Sequence, residues 1–326
     1  LLAGGKTLAL LTGLPFWSMT LALAVIAYSY SRFSGIKASV ATDVVQLGII
    51  LLGGALLVTL GLRLTGGLET VRAGLGSVSG EYTSLTSASG VEVLLSFGLP
   101  TAVGLISGPF GDQCFWQRVF SIREDRIGRS FFAAALLFAL VPIAMGTVGF
   151  LAAGSGFQAA DAGMVNFEFV MSLLPAWVLV PFLFMVISGL LSTVDSNLCA
   201  AASLTTDWMT GEGADNIRAS RRVMLALLLV SILIANIPGL TVTHLFLFYG
   251  TLRASTLLPT VMTLLGKKLS AGGVFAGVLT ALCVGLPIFA YGNIAGIPAL
   301  KTAGSLTTVL SSGVVAVIVS RKAVRT

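Results

Sequence analysis

The sequence predicts an all-α integral membrane protein, and three observations carry that expectation. Of its 326 residues 56% are hydrophobic and only 10% are charged, whereas soluble domains carry charge on about a quarter of their positions. The apolar residues arrive in blocks, of which residues 14–30, 131–151, 224–238 and 272–291 are the clearest. Stretches of roughly 20 apolar residues match a hydrocarbon core about 30 Å thick, and a buried helix of a soluble domain would instead show a polar stripe. The third observation is the placement of the 19 Lys and Arg residues, which fall mostly in alternate breaks between the apolar blocks.

Taken in order, the polar breaks divide the chain into nine expected spans, at residues 14–31, 40–62, 90–117, 130–153, 170–205, 221–238, 243–265, 270–290 and 303–320. With breaks on alternating sides, one side holds Arg32 and Lys37, then Arg118, Arg123, Arg126 and Arg129. The same side goes on to hold Arg218, Arg221 and Arg222, then Lys267 and Lys268, and last Arg321, Lys322 and Arg325. Only Lys6, Arg63, Arg72 and Lys301 fall on the other side, with Arg253 inside a span. The positive-inside rule then puts the richer side and the C-terminus in the cytoplasm. The expected setting is a multi-pass protein of the plasma membrane, such as a bacterial inner membrane. A net charge of +6 distributed in this way calls for a lipid bilayer as partner rather than nucleic acid.

The ends and the cysteines add little chemistry. The chain opens Leu1-Leu2-Ala3-Gly4-Gly5-Lys6, without an initiator Met, and reads as the tail of an earlier helix. It is therefore expected to be the C-terminal part of a longer chain. Gly5-Lys6-Thr7 imitates the end of a phosphate-binding loop, but a membrane span follows rather than a βαβ unit. Cys114, Cys199 and Cys283 stand far apart in apolar surroundings and read as packing residues, not as a disulfide framework or metal site.

Two spans depart from plain hydrophobicity, and a third begins with a charge. Residues 90–118 contain Gly98, Pro100, Gly104, Gly108, Pro109 and Gly111 within one crossing length. Proline removes a backbone donor and glycine lowers the cost of non-helical dihedrals, so a broken helix is expected. In a membrane, freed backbone groups survive only where protein or a wet cavity satisfies them, which is the pattern of transporter binding sites. The alternative is a kinked structural helix, but the cluster Ser107-Gly108-Pro109-Phe110-Gly111-Asp112 puts a charge at the break.

On a helix, Gly189, Ser192, Asp195 and Ser196 share one face, with Thr193 beside them. That face offers hydroxyls, a carboxylate and an accessible carbonyl, hard oxygen ligands suited to an alkali cation. Hydroxyls alone would read as helix-packing glue, so Asp195 carries the functional reading. Asp43, in Thr42-Asp43-Val44-Val45-Gln46, fits a first-turn acid complementing a helix dipole, and also fits a second carboxylate for a cation. Arg253, in Tyr249-Gly250-Thr251-Leu252-Arg253, fits either a receiver for an anionic solute or an ion-pair partner of Asp112 or Glu168. His244 is a lone histidine near a surface, and Gly273 with Gly277 reads as close helix packing.

These segments together resemble the sodium:solute symporter family. Ile36-Lys37-Ala38 followed by Thr42-Asp43-Val44-Val45-Gln46 resembles its fifth-helix region, and Asp112-Gln113 with Gln117-Arg118 resembles its broken sixth helix and the loop after it. Ser192-Thr193-Val194-Asp195-Ser196 resembles its eighth-helix sodium motif. The resemblance implies a LeuT-type inverted-repeat bundle, of which this chain would supply helices 4 to 12 as a single transmembrane domain over residues 1–326. It also implies one sodium site from the Gly189 carbonyl and the hydroxyls of Ser192 and Thr193, completed by a first helix that this sequence lacks. A second site, present in part of the family, would use Asp43 with Ser192, Asp195 and Ser196; Asp195 replaces a serine found in some two-sodium members. The aromatic gate of the family's sugar transporters is absent, since Ser107, Gly108 and Pro109 stand there. Gly111-Asp112-Gln113-Cys114-Phe115-Trp116-Gln117 is similar to the urea and polyamine branch.

The function expected from these residues is sodium-coupled symport of a small polar solute by alternating access, with Na+ as coupling ion and no other cofactor. Ser107, Gly108, Phe110, Asp112, Tyr249, Thr251 and Arg253 are the expected solute-pocket residues. A non-transporting sensor or a channel on the same scaffold is the alternative; neither a charged ring nor a filter repeat appears in the sequence. An intramembrane serine enzyme is disfavoured, because Ser192, Ser196 and Asp195 have no base near them in sequence.

Overall fold

The computed structural model describes residues 1–84, 86–210 and 217–323. Arg325, the side chain of Lys322 and residues 211–216 of the expected cytoplasmic loop lie outside them. Every regular element among the described residues is helical. The α-helices are α1 (Leu2–Thr12), α2 (Phe16–Thr65), α3 (Leu68–Gly74), α4 (Ala88–Val93), α5 (Leu99–Gly111), α6 (Gln113–Phe120) and α7 (Ile127–Gly154). They continue as α8 (Val165–Leu173), α9 (Leu179–Thr210), α10 (Ile217–Ala235), α11 (Val242–Leu264), α12 (Ala271–Thr280), α13 (Leu286–Ile294) and α14 (Pro298–Ala323). The chain divides into two compact units, one of Leu1–Thr83 with Gln117–Leu240 and one of Ser84–Trp116 with Thr241–Thr326.

In the first unit α2 lies along α9, and α7 packs on both α2 and α3. Gly13, in the left-handed conformation, stops α1, and Pro15 opens α2, so that α1 and the first part of α2 meet at 120°. One expected break is not a break. Residues 32–39, with Arg32 and Lys37, continue as helix through α2. They contain no proline and a single glycine, which costs about 1 kcal/mol and does not end a helix. At a rise of about 1.5 Å per residue the 50 residues of α2 run for about 75 Å, more than twice a hydrocarbon core. Its second part, Ser39–Thr65, is long and apolar enough to span by itself, and its first part, Phe16–Arg32, is so only together with α1. The core of this unit gathers Leu57, Leu151, Phe167, Val170 and Phe182 from α2, α7, α8 and α9, with Val178 from the turn before α9.

In the second unit α5 packs on α11, and α14 packs on α11, α12 and α13. Two π-helical turns, Leu94–Gly98 and Ala281–Gly285, each run into a helix with proline near its start, Pro100 and Pro287. A proline has no N–H for the preceding turn, so the hydrogen-bond ladder re-registers there. Glycine sets the helix separation at several places, of which two are the clearest. A Cβ on Gly104 would stand 2.6 Å from the Gly250 Cα, and one on Gly277 would stand 2.2 Å from the Ser312 carbonyl oxygen. The Gly273 and Gly277 pair is thus a helix-packing motif, as its spacing implies.

Among the described residues seven helices are long and apolar enough to cross a membrane, and the bent pair of α1 with Phe16–Arg32 makes eight. The sixth expected span, 221–238, falls on α10, a helix of 19 residues whose first turns carry Arg218, Arg221 and Arg222. The chain is a multi-pass membrane protein.

Candidate cation and solute sites

Polar side chains buried in an apolar bundle form two clusters, one in each unit. In the first unit α2 supplies Asp43, α9 supplies Gly189, Ser192, Thr193, Asp195 and Ser196, and α6 adds Arg118. The Ser192 hydroxyl donates to Asp43 Oδ1 at 2.5 Å. Arg118 Nη2 donates to Asp43 Oδ2 at 2.7 Å and to Ser196 Oγ at 2.8 Å. A guanidinium therefore lies between α2 and α9 where the sequence pattern placed a metal cation. Gln117 holds this end of α6 on α9, donating to the Cys199 carbonyl at 3.1 Å and to Ser203 Oγ at 2.7 Å.

Asp195 differs from its neighbours. It is only 2% exposed, the Cys199 thiol donates weakly to its Oδ1 at 3.8 Å, and its Oδ2 has no hydrogen-bond partner. Burying an unpaired carboxylate costs several kcal/mol, so such a group invites either a cation or a proton. Gly189 and Thr193 bond each other, the Thr193 hydroxyl donating to the Gly189 carbonyl at 2.9 Å. Of the six expected cation ligands, the structure joins Asp43, Ser192 and Ser196 through hydrogen bonds and leaves Asp195 one helical step away.

Asp43 lies well inside α2, so it is not a first-turn acid complementing a dipole. Arg118, expected in the break between two spans, belongs to α6 and reaches this cluster. The signal that reveals it is the amphipathic pattern of residues 113–120. Tyr30, which donates to the Leu191 carbonyl at 3.0 Å, also went unread because a lone tyrosine in an apolar span looks like packing.

In the second unit the helical run ends at Gly111, and Asp112 takes an extended conformation (φ −113°, ψ 120°) before α6 begins. Its carboxylate caps the restart, accepting the Cys114 N–H on Oδ1 at 2.9 Å. Oδ2 accepts the Tyr249 hydroxyl at 3.0 Å and also an Arg253 N–H. Tyr249 and Arg253 are one turn apart on α11, and the guanidinium lies over the tyrosine ring at 3.9 Å from its centre. Gly108 leaves room for that guanidinium, since a Cβ there would stand 3.5 Å from Nη1. Arg253 thus pairs with Asp112. Glu168 is otherwise engaged, accepting the N–H groups of Ala160 and Asp161.

The remaining expected pocket residues lie apart from this triad. The Ser107 hydroxyl donates back to the Val103 carbonyl at 2.6 Å within α5. Phe110 contributes its carbonyl, which accepts from Trp116 Nε1 at 3.2 Å. Thr251 is fully buried, two residues from Tyr249 and hence on another face of α11.

The model of the sodium:solute symporter family matches residues 1–281. The chain belongs to that family. Among its relatives is the urea-proton symporter DUR3 of Oryza sativa subsp. japonica, 25% identical over 265 residues, which make up 74% of this chain and 36% of the relative. The chain thus spans about a third of that relative's length. No solved structure matches. The family is one of solute symporters and the rice relative is a symporter as well.

Proposed function

We propose that this chain is part of a secondary active symporter that moves a small polar solute across a membrane by alternating access, driven by a monovalent cation. The observation that carries this reading is the half-buried contact of Asp43 on α2 with Ser192 on α9, joined by a cationic side chain that also reaches Ser196. A set of hard oxygens bridging two helices changes its cation affinity whenever those helices move. Ion and solute that favour the same state then raise each other's affinity. Sodium is the first reading of the cation, held by Gly189, Ser192 and Thr193 and by Asp43, Asp195 and Ser196. A proton is the second, favoured by the unpartnered Oδ2 of Asp195 and by the coupling named for the rice relative. The membrane is a plasma membrane with the C-terminus inside.

Thermal melting of the full-length protein in detergent tests the cation. Ligands that bind only the folded state stabilise it by RT ln(1 + [L]/Kd). Sodium should raise the melting temperature above that in potassium, and Asp43→Asn and Ser192→Ala should each remove the rise. An equal melting temperature in both salts, with uptake that follows a pH gradient, would replace sodium by the proton. Uptake that equilibrates but never accumulates under any ion gradient would leave a channel.

A further inference from the structure

The apolar part of α10 is short. Residues 223–235 carry no charge and at about 1.5 Å per residue run for about 20 Å, against a hydrocarbon core of about 30 Å. The helix is held in register against the first part of α2, which runs the other way. Near one end Arg221 Nε donates to the Arg32 carbonyl at 3.1 Å, and the Tyr28 hydroxyl donates to the Arg221 carbonyl at 3.4 Å. Near the other end Asn236 Nδ2 donates to Thr20 Oγ1 at 3.0 Å. So short an apolar part draws the arginines of the first turns to the level of the lipid headgroups.

One face of α10 is used by the fold, with Met224 and Leu228 buried in a cluster that includes Ala24 of α2 and Leu198 of α9. Another face is not. Arg218, Arg222, Leu225, Leu229 and Leu233 follow one another at intervals of three or four residues and so form a single stripe. Arg218 and Arg222 are exposed, and among the described residues neither makes an ion pair or a side-chain hydrogen bond. Leu225, Leu229 and Leu233 are 43%, 54% and 72% exposed, so the apolar part of the stripe opens to the membrane along its whole length. Residues 1–42 and 216–326 contain no Asp or Glu, so neither α10 nor the part of α2 beside it supplies a counter-charge. Glu212 and Asp215 precede the helix, outside the described residues.

We propose that this stripe is a binding site for one anionic phospholipid, with its phosphate between Arg218 and Arg222 and an acyl chain along Leu225, Leu229 and Leu233. Two guanidinium groups one turn apart present planar forks of N–H donors, which match phosphate oxygens in geometry as well as charge. The leucines give the chain a place that a free phosphate cannot use. A zwitterionic lipid fits less well, because its own ammonium group is repelled by the two arginines. A second copy of the chain fits worse: in one membrane two copies share an orientation, so a two-fold contact on this face would set Arg218 and Arg222 against themselves. The site lies apart from both polar clusters and does not depend on which ion or solute is carried.

The test titrates the full-length protein in a neutral detergent with dioleoyl phosphatidylglycerol or dioleoyl phosphatidylcholine. Bound lipid is read by native mass spectrometry, and the melting temperature is followed in parallel. Phosphatidylglycerol should bind more tightly than phosphatidylcholine and raise the melting temperature further. Arg218→Gln and Arg222→Gln should each weaken the binding of phosphatidylglycerol about fivefold, the effect of one basic residue at a membrane surface. The double variant should bind the two lipids alike and melt as wild type does in phosphatidylcholine. Arg123→Gln/Arg126→Gln, which removes two exposed arginines that share Asp125 elsewhere in the same unit, should leave the binding of both lipids unchanged. Glycerophosphoglycerol, the same headgroup without chains, should not compete. Equal binding of the two lipids by wild type, full binding of phosphatidylglycerol by the double variant, or the same loss in the Arg123/Arg126 control would each overturn the site. Competition by the chainless headgroup would reduce it to a phosphate contact without the leucine stripe and overturn it as a lipid site. A lower melting temperature of the double variant in phosphatidylcholine would give the arginines a partner within the protein and overturn it as well.

Discussion

In the second unit one carboxylate, Asp112, is closed by one guanidinium, one phenol and one backbone N–H. In the first unit two carboxylates, Asp43 and Asp195, stand near a single guanidinium, and Arg118 serves only the first of them. The two clusters are thus built from the same residue types with different charge closure. The Asp112–Arg253 cluster is complete as it stands, and its charge leaves nothing for an ion to add. The Asp43–Asp195 cluster has a carboxylate oxygen to spare, and that surplus is what a coupling cation would neutralise.

The largest expected effect tests the closed cluster. The side chains of Asp112 and Arg253 are 9% and 21% exposed, so removing one strands the other in a place where water reaches poorly. Asp112→Ala or Arg253→Ala should therefore lose roughly 3–5 kcal/mol of stability, read as a fall in melting temperature in detergent. The double variant Asp112→Asn/Arg253→Gln should recover much of that loss, because it strands no charge. Equal losses in the single and double variants would mean that shape, not charge closure, holds α11 against the break in α5.

The open cluster should respond less in stability and more in ion dependence. Arg118 and Asp43 are 33% and 22% exposed, and charge-assisted hydrogen bonds of this kind are worth about 1.5–3 kcal/mol. Arg118→Ala should cost that amount or less in potassium buffer. In sodium buffer part of the loss should return, because two carboxylates and two serine hydroxyls then have no guanidinium among them. Arg118→Ala with the same deficit in both salts would show that the oxygens left behind do not form a metal site, and would weaken the difference drawn between the clusters.

How much of this was legible in the sequence follows from the physics of each signal. The break at Asp112 was legible because Gly108, Pro109 and Gly111 act on the backbone locally, without help from the fold. The serine and aspartate face of α9 was legible because a helix repeats every 3.6 residues, which fixes who shares a face. The continuation of α2 through Arg32 and Lys37 was not, since charged residues signal a membrane boundary but do not themselves stop a helix. Arg118 escaped for a tertiary reason: whether an arginine beside a loop faces water or a buried acid 75 positions earlier depends on packing that no local pattern encodes. The pairing of Arg253 with Asp112 over Glu168 was undecidable on the same grounds, as both acids suit the arginine and only the fold chooses.

The smallest effect belongs to a third ion pair, which serves as the exposed reference for the other two. Lys6 Nζ on α1 donates to Asp161 Oδ2 at 2.5 Å, with side chains 26% and 36% exposed; Asp161 itself stands between α7 and α8, outside the spans. The Lys6 hydrogen bond holds the Asp161 carboxyl below its usual 3.8, against a modest opposing effect of burial and with help from the Gly163 N–H. A carboxyl lowered by folding contributes stability that is whole above its unfolded value and is lost as the pH falls through its folded value. The difference in melting temperature between wild type and Lys6→Met should therefore be constant at neutral pH and shrink below pH 3.8. For a pair this exposed the neutral-pH difference corresponds to about 0.2–1 kcal/mol, and added salt should reduce it. The Asp112→Ala deficit, by contrast, should barely respond to salt, because screening ions do not enter a buried site. If salt erased both deficits alike, the Asp112–Arg253 pair would be as wet as the Lys6–Asp161 pair, and charge closure could no longer distinguish the second unit's cluster from the first.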